Sequence, residues 1–184
     1  HREESILYRT VRDLFTGDVD QLIVNGWEEY GKVLEWTDFL SPFLRERVQY
    51  FEPKRSLFAT FEIEKQIERA VQRKIRLKSG GSLVMDPTEA LTVIDVNTDK
   101  YVGRVNLEDT VFHTNLEAAE EIARQIRLRD IGGIIVIDFI DMEVGENRMQ
   151  VLETLKTALK RDRAKTNVVG FTGLGLVEMT RKKI

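Results

Sequence analysis

The chain has 184 residues, 42% apolar and 32% charged, with a formal net charge of −3, enough for one domain or two small ones with a proper core. It holds no cysteine and two histidines, His1 and His113. This excludes zinc, iron–sulfur and cysteine-nucleophile chemistry and leaves a Ser-His-Asp triad only His113 to use.

The charge is uneven. From Arg148 to Ile184 nine Lys and Arg stand against three acids, a local +6 in a chain that is −9 elsewhere. A polyanion-facing edge has this pattern. No signal segment or apolar run of about 18 residues is visible, so a cytoplasmic protein is expected. The missing initiator Met and the basic ending RKKI read as a piece of a longer protein.

In chain order, residues 4–15 carry Ile6, Leu7, Val11, Leu14 and Phe15 at helical spacing. QLIVN, 21–25, reads as a short strand, Trp27 to Leu40 as a helix, and Phe43 to Val48 as a second helical piece after Ser41-Pro42. Residues 61–71 place Ile63, Ile67 and Val71 at four-residue steps, the pattern of an amphipathic helix. Trp27, Trp36, Phe39 and Phe43 are expected in a core or an interface.

The pattern changes after Gln72. KIRLKSGGSLVM alternates around Ser79-Gly80-Gly81-Ser82, a hairpin signal, and LTVIDVN, 91–97, is a strand. Residues two apart in a strand share a face, so Asp95 and Asn97 point the same way. A loop with Gly103 leads to a helix over 115–129, with Thr114 and Glu117 as its capping box and Gly132-Gly133 ending it. Ile134 to Ile140 then reads as a strand buried on both faces, with Asp138 inside it. A helix over about 148–161 and two strands, NVVGF and GLVEMT, complete the chain.

Strand, helix, strand over 91–140 is a crossover unit, which favours parallel neighbours. Asp95 and Asp138 both lie late in their strands and so emerge at the same C-terminal edge, where open α/β sheets place their sites. Two close carboxylates need help to stay ionised, and a divalent cation with oxygen ligands supplies it. Other readings stay open at this point: Asp138 as acceptor for a helix N-terminus or an arginine, and Asp95 as a turn-edge residue. Asp141 reads as a strand-end acid and His113 as a loop or capping histidine.

TEALTVIDVNT, NLEDTVFHTNLEAAEEIARQIRLRDIGGIIVIDFIDM and, upstream, RAVQRKIRLKSGGSLVMDPTEAL resemble the catalytic region of the bacterial ribonuclease E/G family. The likeness runs from about Phe61 to Arg181. Residues 1–60 resemble, more weakly, the RNase H-like segment that precedes it. The resemblance implies magnesium-dependent endonucleolytic cleavage of single-stranded RNA to 5′-phosphate and 3′-hydroxyl ends, with manganese as a substitute ion. It implies a DNase I-like catalytic subdomain in which Asp95 and Asp138 hold the metal and Asn97 helps hold the scissile region. Lys165, with Arg163 beside it, would contact RNA. The family's oligonucleotide-binding barrel, its sensor for the RNA 5′ end and its subunit-joining zinc link fall outside these 184 residues. Homo-oligomerisation is therefore expected of the whole protein, and low activity of these residues alone.

The expected fold is mixed α/β: a helix-rich segment over 1–70, then a mixed sheet flanked by helices over 71–184. Two further functions compete with the nuclease. One is a metal phosphoesterase acting on small nucleotides, and the other a non-catalytic RNA-binding or oligomer-scaffolding module.

Overall fold

The computed structural model of the chain describes residues 5–52, 56–98 and 107–183. It divides into two compact units, His1–Lys65 and Gln66–Ile184. The turns expected at Pro53 and Gly103 lie outside the described residues.

The first unit is helix-rich. Helix α1 (Ile6–Arg9) runs into a π-helical turn at Thr10–Leu14, and strand β1 (Leu22–Val24) is joined to β2 (Val48–Tyr50) through α2 (Trp27–Leu40) and a 3₁₀ turn at Pro42–Arg47. The two strands pair in parallel, which needs a crossover connection such as this helical one. Val11, Phe15, Val24, Val33, Leu44 and Val48 form the core. Of the four aromatics expected in a core or an interface, Trp36 packs against this core, edge-on to Tyr8 at 5.3 Å, while Trp27, Phe39 and Phe43 are exposed and lie outside it. The helix expected over 61–71 is α4 (Ile63–Ala70); a separate short helix, α3 (Leu57–Thr60), precedes it, and Glu62, whose φ of 53° lies outside the helical region, divides the two.

The second unit is built on a six-stranded sheet: β3 (Lys74–Arg76), β4 (Gly81–Pro87), β5 (Leu91–Thr98), β6 (Gly133–Asp138), β7 (Thr166–Phe171) and β8 (Val177–Arg181). Its spatial order is β3-β4-β5-β6-β8-β7. Only β5 and β6 run parallel, bridged by α5 (Leu107–Leu128), while every other pair is antiparallel. The mixed α/β expectation is met. Helices α5 and α6 (Gly145–Leu159) cover one face, burying Ile122, Ile126, Val151 and Leu155 against Ile94, Ile135, Ile137 and Met179. Apolar burial of this extent is the main term holding the layer to the sheet.

Strand β6 is covered on that face alone. Ile135 and Ile137 are fully buried, but Ile134 is 50% exposed and Asp138, the last strand residue, lies at the exposed end. The apolar run therefore does not bury a carboxylate in mid-strand. Helix α5 also starts well before the expected capping box. Thr114 is buried in mid-helix, and the Glu117 carboxylate accepts from the Lys78 and Ser79 N–H groups at 2.6 and 2.7 Å, securing the β3–β4 turn instead. His113 is an exposed residue of this helix, not of a loop.

The helix ends at Asp130 (φ 46°), with the Ile131 N–H reaching back to Ile126 O at 2.9 Å, a Schellman-type stop set by an aspartate ahead of the glycine pair. Gly81 serves a different need. A Cβ there would lie 2.8 Å from both Asn97 O and Thr114 Cγ2, so only glycine lets α5 and β5 close on β4 at this level.

Candidate active site

The parallel register sets Asp95 directly beside Asp138, on neighbouring strands roughly 4.8 Å apart. Both stand at the C-terminal edge of the pair. Asn97 shares the face of Asp95, as strand alternation requires, and its Nδ2 donates to Asp95 Oδ2 at 2.6 Å. The Asp138 carboxyl is pushed above the ordinary carboxylate range. Partial loss of water around it is the first cause, followed by the charges of Asp95 and Asp141. Although Asp138 is exposed by area, all three influences act in one direction, so the edge is electrostatically loaded.

Sequence reasoning missed what holds this edge. The segment after β6 is tied to the helices along its length. Asn115, fully buried in α5, donates from Nδ2 to Ile140 O at 2.8 Å and accepts the Ile140 N–H at 3.1 Å. Arg148 donates through Nε and Nη2 to Met142 O. Glu108 accepts the N–H groups of Glu143 and Val144 at 3.1 and 3.2 Å and the Asn147 amide at 2.8 Å. Those bonds, led by the one from Glu143, hold the Glu108 carboxyl below its ordinary range. The available signal was a polar residue, Asn115, on the buried stripe of an otherwise apolar helix face.

The basic candidates stand elsewhere. Arg163 and Lys165 are exposed and precede β7, whose Thr166 aligns with Arg181 and, through β8, with Gly133. That is the opposite edge of the sheet from Asp138, five residues or roughly 17 Å along the strand. Part of the C-terminal charge is also internal. Arg181, 3% exposed, donates to Asp162 at 2.7 and 3.2 Å and to Asp130 at 2.8 Å. It fastens the end of α5 and the turn after α6 to β8, and its charge is already matched.

Among the described residues no group of three or more His, Cys, Asp or Glu forms a metal cluster. Two all-oxygen carboxylates in register are nevertheless the donor set that magnesium favours, since it keeps several waters and shares its shell with substrate phosphate. Asp95 and Asp138 fit such an ion, and a closed protein cage is not needed.

Fold and edge together define an α/β protein that places its polar chemistry on adjacent strand ends. Residues 1–184 match the Ribonuclease E/G family. Ribonuclease G of Escherichia coli (strain K12) is 46% identical over 181 residues, covering 98% of this chain and 37% of the relative. Ribonuclease G of Haemophilus influenzae is 44% identical over the same shares, and Ribonuclease E of E. coli K12 is 40% identical over 189 residues, 17% of its length. The chain thus belongs to the ribonuclease E/G family and spans little more than a third of its ribonuclease G relatives.

Proposed function

We propose that this chain is the catalytic portion of an endoribonuclease that hydrolyses single-stranded RNA to 5′-phosphate and 3′-hydroxyl ends. The observation that carries the reading is the in-register pair Asp95 and Asp138 at one strand edge, in a chain whose relatives are named ribonucleases. Asp95 and Asp138 would hold magnesium, or manganese in its place, which supplies polarisation of the scissile phosphate and offsets its charge. Asn97 fixes the rotamer of Asp95 through its amide N–H and leaves its own oxygen to the substrate side. Asn115 fixes the path of the chain beyond Asp138. Arg163 and Lys165 neutralise RNA phosphates away from the scissile bond, at the opposite sheet edge.

Within this reading residues 1–70 are the RNase H-like segment and 71–184 the DNase I-like subdomain of a longer, self-associating cytoplasmic enzyme. No described helix is long and apolar enough to cross a membrane. The test is cleavage of an end-labelled single strand against its duplex, with magnesium and with chelator, and with product ends identified. Cleavage of the single strand that depends on magnesium and disappears in Asp138→Asn supports the reading. RNA binding without cleavage by the parent protein points to a scaffold instead.

A further inference from the structure

Strand β8 meets β6 with Val177 opposite Ile137, and β7 meets β8 with Phe171 opposite Val177. The turn joining them, residues 172–176, therefore projects past the same sheet edge as Asp138, on the side of β6 away from Asp95. It is tightly built. Thr172 Oγ1 accepts the N–H groups of Leu174 and Leu176, each at 3.2 Å, and the Thr172 N–H donates to Leu176 O at 2.7 Å. This bracing holds up Leu174, an apolar side chain that is 88% exposed.

Between this turn and the segment that follows Asp138 lies a cleft of about 230 Å³, lined among others by Phe139, Asp141, Arg148, Phe171 and Leu174. Phe139 and Met142 form a buried floor, and Phe171 is half-buried. Arg148 spends Nε and Nη2 on Met142 O, and its Nη1 donates no hydrogen bond among the described residues. Asp141, three residues after Asp138, supplies an exposed acceptor.

We propose that this cleft is a base subsite: it takes one unpaired nucleobase, from a nucleotide next to the phosphodiester that lies at Asp95 and Asp138. The inference rests on the nuclease reading of that edge. Size argues for a single ring system, because a cavity of about 150 Å³ already holds benzene. Chemistry argues for a base. An aromatic and a braced leucine offer apolar surface to its faces, while a guanidinium N–H and a carboxylate offer a donor and an acceptor to its edge. Position argues for the reacting region, since the cleft wall begins at Phe139, the residue after Asp138. A duplex keeps its bases stacked inward, so the subsite also selects single strands.

The test is a set of oligoribonucleotides sharing one cleavage site, each with a single abasic nucleotide placed successively around it. In magnesium, the parent protein should lose about tenfold to a hundredfold in kcat/KM when the abasic residue falls at one particular position, the usual worth of one base contact. Leu174→Ser, at an exposed turn where the fold does not depend on the side chain, should lower cleavage of the intact strand and shrink the abasic effect at that position alone. Phe171→Leu should do the same. An abasic effect of equal size in parent and Leu174→Ser, or none at any position, overturns the subsite while leaving the nuclease intact. If the parent cleaves no RNA in magnesium, both readings fall together.

Discussion

Asn115 holds both backbone polar groups of Ile140, its amide donating to the carbonyl and accepting from the N–H of one residue 25 positions away. Ile140 lies between Asp138 and Asp141 in the chain, so a buried side chain on α5 sets the path of the segment carrying both acids. Asn115→Leu removes this clamp and leaves a buried N–H and C=O unmatched, at about 1–3 kcal/mol each. The expected outcome is a loss of roughly 2–5 kcal/mol in urea unfolding, together with weaker manganese binding by calorimetry. Asn115→Asp, which keeps the acceptor, should fall between the two. Unchanged manganese affinity in a folded Asn115→Leu protein would show that the clamp serves stability alone.

Asp138 gives a second prediction, with a sign. Its folded carboxyl keeps its proton to higher pH than an ordinary carboxyl, because lost water and the charges of Asp95 and Asp141 raise its pKa. A raised carboxyl supports the fold fully below its unfolded pKa and loses that support as pH climbs through the folded value. Without metal, Asp138→Asn should therefore melt higher than the parent at neutral pH, and the gap should close as the solution is acidified below the ordinary carboxylate range. The same variant should bind no manganese. Asp95→Asn should also lose the ion while remaining folded. Parent-like affinity in both variants would rule out the assigned ligands.

The Arg181 triad titrates the other way. Burial pushes Asp162 up, but the Arg181 guanidinium and the Ala164 N–H outweigh it and hold the carboxyl below its usual range. Its stabilisation is present above the unfolded carboxylate pKa and fades as pH falls through the lowered folded value. Asp162→Ala takes one of two carboxylate partners from a guanidinium that is 1% exposed at its side chain and leaves it Asp130. A loss of about 1.5–3 kcal/mol is expected near neutrality, shrinking toward acid pH. Denaturant melts at three pH values measure it, and a loss that stays constant with pH would mean that packing, not charge, is at stake.

The central strands were legible because alternation and the crossover rule are local or nearly so. Together they put Asp95, Asn97 and Asp138 at one edge from the sequence alone, and Trp27–Leu40 reads as a helix with the ends the structure gives it. Burial of β6 was not legible. An apolar run reports affinity for a core but not how many faces find one, and Ile134 found none. The clamps were hidden for a different reason: Asn115 to Ile140 and Glu108 to Val144 are tertiary bonds with no spacing signature. The distance of the basic residues from the acidic pair was not legible, because β8 pairs between β6 and β7 and sets Lys165 two strands across the sheet from Asp138, an order that no local pattern reports.

That strand order leads to a prediction about substrate length. Lys165 stands roughly 17 Å along the strand direction from the level of Asp138, and a further two strands across the sheet. A dinucleotide at the acidic pair is too short to span that separation, whereas a longer single strand can occupy both edges. Lys165→Ala should leave cleavage of a dinucleotide unchanged. For longer RNA it should weaken binding about equally across sequences and flatten the salt dependence by about 0.7 in slope, as the loss of one single-strand phosphate contact does. Arg163→Ala should behave alike. Filter binding at several salt concentrations, paired with dinucleotide and long-RNA cleavage rates, measures both parts. A Lys165→Ala defect of equal size on the dinucleotide would mean that the residue acts through the fold, and a sequence-selective defect with an unaltered slope would mean that it reads bases.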